Sequence, residues 1–577
     1  METFVADLVA AGVRAACISP GSRSSPLALT LGARDDIDCH VVLDERSSAF
    51  MALGIAKASR RPVAVVCTSG TAAANFHPAV CEADLSRVPL LVLTCDRPPE
   101  LHARGAEQTI DQHGLYGTSV REFIDAGIAG DSSEILHWFA HVARRAVDRC
   151  RGPVPGPVHV NISFREPLVE RRPGTGSPLG PNVTRLPGAE PDTSDVERLA
   201  TELAGTACGI IVAGSMPDAH DPQLQDAVAG LAGVLDWPLV ADATSGLRYG
   251  GPAAAHCIDH VDLLARHDRT LDILAPDTVL RIGGWPISKP IAALCSRADR
   301  HVHIDQWAWS DPQDQVTETV RARPAPTLAA LRHAIETRGI EIATPKSWLW
   351  RWEDAARRVS AALHEYFCES SELSEASVAA ICVENTPPGS ALCVGASMPL
   401  RDIDVFAAAG EHRIDVYSNR GANGIDGFVS TCAGIAAAHD GPVLAICGDL
   451  TLAHDAAALE LTTREALAVT FVVPNNIGGG IFSFLPQARL GLGADFDRFL
   501  GVRGAPTPSA VARAAGVEHK AVARPGDLTR AVSESSLRET PLVVEVPSDA
   551  GENVSEHEAV WSATGIALDD FEGAQYE

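Results

Sequence analysis

The chain of 577 residues is predicted to fold as α/β, in three doubly wound parallel-sheet domains. Short apolar runs recur along it. Each ends abruptly in a polar or glycine-rich cluster and is followed by a stretch of helical spacing, the pattern of parallel strands joined by crossover helices. The pattern fills three blocks, parted by residues 166–191, with ten Pro and Gly in twenty-six positions, and by a Pro-marked stretch from Pro324 to Pro345. The length itself suits about three or four domains, each able to bury a core.

In the first block, residues 15–19 form a strand that stops at Pro20-Gly21-Ser22-Arg23-Ser24-Ser25-Pro26, a turn and helix start. Residues 41–43 lead into Asp44-Glu45-Arg46 and a small-residue helix over 48–58. Residues 62–67 are a strand ending at Thr68-Ser69-Gly70-Thr71. A helix through Ala72, Ala79 and Ala83 follows, and residues 89–94 are a strand ending at Asp96-Arg97-Pro98-Pro99. Residues 157–163 close the unit. The stretch 166–191 reads as an interdomain linker. The second block has strands at 209–213, 238–241, 278–283 and 301–304, and the third at 390–395, 413–417 and 541–546. The last nine residues, DDFEGAQYE, read as an acidic, frayed tail.

Composition narrows the function classes. Apolar content of 46% and charged content of 21% are those of a globular enzyme-sized chain. A net charge of −27 argues against nucleic acid and acidic membranes as partners. The start, METFVADLVAAG, lacks a basic n-region and long apolar core, and no run approaches the roughly 20 residues that span a bilayer. Fourteen cysteines occur with no C-x-x-C pair, mostly inside apolar runs such as those holding Cys17, Cys67, Cys95, Cys393 and Cys447. Reduced core thiols of a cytoplasmic protein are expected.

The third block is organised around residues 442–480. One apolar run ends at Gly448-Asp449, about sixteen residues of helical spacing follow, and a second run, 467–473, ends at Pro474-Asn475-Asn476. Ligands of such sheets sit at the carboxyl ends of the strands. A carboxylate and an amide delivered there suit a hard cation that takes oxygen ligands, and Gly478, Gly479 and Gly480 let backbone approach a diphosphate closely. Glu45 stands at a strand end just before a helix, which predicts a partly buried carboxylate. A helix-start acid favoured by the dipole reads the same way.

Gly448-Asp449 followed 27 positions later by Asn476 resembles the cofactor motif of the thiamine-diphosphate (ThDP) enzyme family. The resemblance implies that Asp449, Asn476 and the Gly478 carbonyl hold Mg2+ or Mn2+ against ThDP. Leu450 stands where the family usually has a third glycine. The stretches LDERSSAFMALGIAKAS and PVAVVCTSGTAAANFHPAVCEADLSRVPLLVLTCDRP resemble the family's pyrimidine-binding domain, and RGPVPGPVHVNIS its closing segment. The implied division is 1–170 pyrimidine-binding, 171–195 linker, 196–345 central and 346–577 diphosphate-binding. Glu45 then becomes the catalytic carboxyl that hydrogen-bonds the cofactor's aminopyrimidine ring and so supports activation of the thiazolium carbon.

Seven ordered motifs narrow the resemblance: SPGSRSSPL, DERSSA, TSGTAAAN, DRPPEL, FREPL, YSNRGANGIDG and NNIGGGIFSFLP. Together they are similar to the branch of the family, in menaquinone biosynthesis, that decarboxylates 2-oxoglutarate and adds the product to isochorismate. That branch implies arginine forks for the substrate carboxylates: Arg23, Arg97, Arg401 and Arg420, with Lys289 in the central block. It further implies polar contacts from Ser22, Gln108 and Ser397, an apolar wedge under the cofactor at Ile425, and an apolar wall of Ile481, Phe482 and Leu485. Glu107 and Pro290 depart from some relatives, and no role is carried onto Glu107. The family assembles each active site from two chains, so a homodimer or homotetramer is expected. Two rivals stand beside this reading: an acetohydroxyacid-synthase-like carboligase or decarboxylase, and a noncatalytic protein on the same fold.

Overall fold

The computed structural model describes residues 1–184 and 188–572, and three parallel sheets organise it. The first holds β1 (Ala15–Ile18), β2 (Asp38–Val41), β3 (Val63–Cys67), β4 (Leu90–Asp96), β5 (Glu122–Ile128) and β6 (Val158–Ser163), in the order β2-β1-β3-β4-β6-β5. The second holds β7 (Gly209–Ala213), β8 (Leu239–Ala241), β9 (Thr278–Ile282), β10 (Arg300–Ile304) and β11 (Glu318–Val320), in the order β11-β10-β9-β7-β8. The third holds β12 (Ser390–Val394), β13 (Ile414–Tyr417), β14 (Val443–Ile446), β15 (Val469–Asn475), β16 (Glu518–Ala521) and β17 (Leu542–Pro547), in the order β13-β12-β14-β15-β17-β16. The first and third sheets therefore repeat one topology. In both, strand order reverses beside the first strand, between β1 and β3 and between β12 and β14, and the crevice at such a reversal is where ligands bind.

Central strands such as β3, β4 and β14 are buried along their whole length, as strands covered by helices on both faces must be. The sequence pattern finds the edge strands β8 and β13 but misses three others, β5, β11 and β16. β5 has the alternating burial of a half-exposed strand and carries a register shift at Asp125/Gly127. β16 reads EHKA and is mostly exposed. The predicted single helix after Asp449 is two, Asp449–His454 and Ala457–Arg464. Between them the buried Asp455 carboxylate turns inward to accept the Ser430 N–H (2.7 Å) and hydroxyl (2.9 Å).

The stretch 166–191 has no helix or strand among its described residues, and 185–187 lie outside them. It is strapped to the first domain: Gly174 N donates to Glu2 Oε1 (2.8 Å), and Leu179 N and Gly180 N donate to the Asp7 carboxylate (2.9 Å each). The expected frayed tail is corrected in part. Phe571 is buried in a core with Trp352 and Val359, because an aromatic ring gains more from burial than the last turn loses in freedom. Residues 573–577 of that tail lie outside the described residues.

The first and third domains of one chain meet through helices Glu45–Ser59 and Phe428–Ala436. Their backbones touch at two glycines: a Cβ at Gly54 would sit 2.2 Å from the Thr431 carbonyl oxygen, and one at Gly434 2.0 Å from that of Met51. Around them Arg46 donates to His454 O (3.1 Å) and Arg464 to Val41 O (2.6 Å). The helix Lys346–Glu369 lays Trp348 and Trp352 into a core with Ile210, Val212 and Val279 of the second sheet. No helix among the described residues is long and apolar enough to cross a membrane, and Cys17, Cys67, Cys95, Cys393 and Cys447 are buried thiols.

Candidate active site

The predicted site residues other than Lys289 fall into two groups, one at the carboxyl edge of the first sheet and one at that of the third. In the first group, the turn after β1 places Ser22 at the surface and buries Arg23. Gly21 allows the turn to press onto the strand end after β3, since a Cβ there would lie 2.3 Å from Thr68 Cβ, and Arg23 N donates to Thr68 Oγ1 (3.2 Å). The Arg23 guanidinium donates to Phe164 O (2.9 Å) and Glu166 Oε1 (3.3 Å), while its Nε is buried without a partner. Arg97, at the end of β4, also has a buried Nε without a partner. Burial and the neighbouring Arg97 together hold Arg23 below its ordinary pKa. Each of the two guanidiniums thus keeps an unused donor at this sheet edge.

A buried chain of hydrogen bonds fixes this edge. Asn161 donates to Asp96 Oδ2 (2.9 Å), Gln112 to Asn161 Oδ1 (2.8 Å), and Gly70 N to Gln112 Oε1 (2.9 Å). Gln108 is exposed, has a left-handed φ of 51°, and its Nε2 donates to Ser69 O (3.1 Å). Glu45 is the first residue of helix Glu45–Ser59, behind the N-cap Asp44, whose carboxylate accepts from Ser47 N. Its side chain is half-buried, as predicted. Burial pushes the Cys67 thiol at the end of β3 well up, with smaller contributions from Cys95 and Glu45.

In the second group, Asp449 opens the helix after β14 and is buried. Its Oδ1 accepts Leu450 N and its Oδ2 accepts Gly478 N, both at 2.8 Å. Gly478 has φ 152°, and a Cβ there would lie 2.2 Å from Gly501 O. Only glycine fits that close approach. Asn476, past the end of β15, donates its Nδ2 to Glu375 Oε1 (2.9 Å), and its Oδ1 is buried without a partner. Ser548 Oγ donates to the same Glu375 oxygen (2.9 Å). Burial raises the Asp449 carboxyl above its ordinary pKa, so the site favours a bound positive charge.

These residues fit the implied metal. One buried carboxylate, one amide oxygen with no protein donor and a glycine backbone held beside them are hard oxygen donors of the kind such an ion takes, its other positions ordinarily being filled by phosphate and water. No cluster of three or more His, Cys, Asp or Glu suited to a metal occurs among the described residues, so a soft, thiolate- or imidazole-rich centre is not what this edge offers.

Arg401, on helix Met398–Phe406, and Arg420, after β13, converge. Arg401 Nη1 donates to Ser397 O (2.8 Å) and Ala396 O (3.3 Å), and Arg420 Nη1 to Ala396 O (3.2 Å). Burial and Arg420 lower the Arg401 pKa. Ser397 and Ile425 are half-buried beside them in sequence, as are Ile481, Phe482 and Leu485. The Phe482 ring packs on Gly479, where a Cβ would meet its Cδ2 at 2.7 Å. Lys289 is exposed at the start of helix Lys289–Cys295, beyond the carboxyl end of β9, and no hydrogen bond among the described residues ties it to either group. Glu375, Glu82 and Lys57 were missed in the sequence. Each acts on residues far away in the chain, and no local pattern marks them.

Family models give the class. Residues 1–115 match the N-terminal TPP (thiamine pyrophosphate) binding domain of thiamine pyrophosphate enzymes, 194–394 the middle domain, and 415–546 the C-terminal TPP binding domain. The three matched domains and the three parallel sheets make the chain a thiamine pyrophosphate enzyme. The chain is 40% identical to a 2-succinyl-5-enolpyruvyl-6-hydroxy-3-cyclohexene-1-carboxylate synthase of Geobacillus kaustophilus (strain HTA426), over 97% of this chain and 96% of that one. Synthases of the same name from Chloroflexus aurantiacus (strain ATCC 29366 / DSM 635 / J-10-fl) and Listeria innocua serovar 6a (strain ATCC BAA-680 / CLIP 11262) are 37% and 35% identical. They cover 97% and 98% of this chain, and 95% and 97% of their own lengths. The chain belongs to the 2-succinyl-5-enolpyruvyl-6-hydroxy-3-cyclohexene-1-carboxylate synthase family.

Proposed function

We propose that the chain decarboxylates 2-oxoglutarate and joins the remaining succinyl unit to isochorismate by 1,4-addition. The products would be 2-succinyl-5-enolpyruvyl-6-hydroxy-3-cyclohexene-1-carboxylate and carbon dioxide, a step of menaquinone biosynthesis in the cytoplasm. One observation carries the reading: guanidiniums come in pairs, Arg401 and Arg420 sharing the Ala396 carbonyl oxygen, and Arg23 on the Phe164 carbonyl, whose own N–H pairs with Asp96 beside Arg97. Paired like charges are costly until an anion lies between them. Both substrates are dicarboxylates, and two arginine pairs suit them better than a methyl-ended donor such as pyruvate.

Asp449, the Asn476 amide oxygen and the Gly478 carbonyl would hold Mg2+ or Mn2+ against the diphosphate, with Ser397 and Ile425 flanking the cofactor. ThDP, when bound, supplies the nucleophilic thiazolium carbon and the electron sink for decarboxylation. Glu45 would hold a proton at the aminopyrimidine ring. Arg401 and Arg420 would orient the donor's far carboxylate, and Arg23, Arg97, Ser22, Gln108 and Lys289 the acceptor. Phe482 and its apolar neighbours would exclude water from the reacting carbon.

Glu45 and Asp449 belong to different sheets, and we read the active unit as a homodimer or homotetramer in which one protomer's Glu45 meets its partner's Asp449. Large apolar side chains next to both groups support this. Leu43 is 77% exposed beside Glu45, and Ile477 and Phe499, near Gly478, are 59% and 65% exposed. The test is a product assay with ThDP, magnesium, isochorismate and 2-oxoglutarate, followed by mass spectrometry. The expected result is one carbon dioxide and one adduct per turnover, dependent on both substrates. Adduct formation from pyruvate at an equal kcat/KM would contradict the donor assignment.

A further inference from the structure

Glu82 lies on helix His77–Leu85 of the first domain and is fully buried. Its carboxylate reaches across to the third domain. Oε1 accepts Gly421 N (3.0 Å) and Ser86 Oγ (2.6 Å), and Oε2 accepts Ala422 N (2.7 Å) and Asn423 N (3.1 Å). Three consecutive backbone N–H groups aimed at one point form an anion nest. Here the anion is a side chain from another domain.

Lys57, on helix Glu45–Ser59, completes the arrangement. Its Nζ is 3.6 Å from Glu82 Oε1 and donates to Ser418 O (2.8 Å) and Asn419 Oδ1 (2.7 Å). A carboxylate with no exposure is costly unless donors surround it. Burial pushes Glu82 up, but Lys57, the Ser86 hydroxyl and the loop amides outweigh it and hold the carboxyl below its ordinary value. Gly421 permits the contact, since a Cβ there would lie 2.7 Å from Ser86 Oγ. The loop is tied at its other side as well. Asn419 Nδ2 donates to Thr431 Oγ1 (2.9 Å), and Thr431 Oγ1 donates to Gly427 O (2.8 Å).

The bonds fall on residues 418, 419 and 421–423, immediately either side of Arg420, and the same loop leads on to Ile425. We propose that Glu82 and Lys57 are positioning residues by which the first domain holds loop 418–427, so that Arg420 stays beside Arg401 and the pair stays set for the donor carboxylate. The inference rests on the donor role given to Arg420 above.

The test uses E82A, E82Q and K57M in the full chain, with R420A as control. Hydrogen–deuterium exchange follows amides 421–423, and kcat/KM is measured for 2-oxoglutarate and for pyruvate. E82A is expected to speed exchange of those amides at least about tenfold, with strand amides of the third sheet unchanged. KM for 2-oxoglutarate should rise about tenfold, the scale of a lost charge-assisted contact, while the slow pyruvate reaction holds. E82Q keeps an acceptor oxygen and should fall between E82A and the parent. Where E82A does not fold, E82Q and K57M decide. Unchanged exchange at 421–423 overturns the restraint whatever catalysis does. Faster exchange with an unchanged KM for 2-oxoglutarate overturns the positioning role if R420A itself raises that KM. If R420A leaves it unchanged, the donor reading fails and, with it, the purpose assigned to the restraint.

Discussion

Asn476 divides its amide between two tasks. Its nitrogen is spent on Glu375, and its oxygen is buried with no donor on it. Asp449→Ala removes the one carboxylate of that set, and ThDP affinity in the presence of magnesium should fall at least about a hundredfold, with the melting temperature little changed. A fluorescence titration checks it. Glu45→Gln keeps the shape of its helix start but removes the ionisable group. Cofactor should still bind, while turnover falls by about 10²–10⁴-fold, the range for a lost acid–base group. Arg401→Ala should lower kcat/KM for 2-oxoglutarate by about ten- to a hundredfold and leave the pyruvate reaction nearly intact, as expected for one charged hydrogen bond at the donor's far end. Kinetics with both oxo acids separate that outcome from general damage. Asp449 and Asn476 stand out in the sequence because each sits where an apolar run stops, whereas Gly478 is implied as a ligand only by the family resemblance. Glu375 and Glu82 do not stand out, since their partners lie 101 and 339 positions away, beyond the reach of any local pattern.

At the scale of elements, the central strands were readable because burial on both faces demands continuous apolar runs. Edge strands carry no such demand. β5 and β16 mix polar and apolar residues because one side meets solvent, and spacing alone does not mark them. The stretch after Asp449 reads as one helix because no proline or glycine interrupts residues 449–464. A buried acid that must reach Ser430 broke it at Asp455. The touching helices were likewise invisible: Gly54 reads as an ordinary weak point in a helix, yet it lets two domains meet backbone to backbone. Gly54→Val should cost about 1–3 kcal/mol through overpacking, seen as a lower melting temperature. Gly32→Ala has only the Ala28 carbonyl oxygen at 3.4 Å and should stay near neutral. Equal melting temperatures for the two would contradict the close packing.

For the whole molecule, the repeat of one strand order in the first and third sheets places a strand-order reversal, and so a crevice suited to a ligand, in each. On the function proposed here, one would supply the acid and an arginine pair, the other the metal donors and a second pair. We take these to be the halves of one catalytic centre, joined across protomers. Mixing two inactive variants tests that most directly. Glu45→Gln and Asp449→Ala proteins are unfolded and refolded together, or coexpressed, and carbon dioxide release from 2-oxoglutarate is measured with ThDP, magnesium and isochorismate. In a mixed dimer one site inherits both lesions and the other inherits neither, so random pairing should restore about a quarter of the parent activity. Activity that stays at the level of the separate variants, with mixed dimers present, would contradict the account.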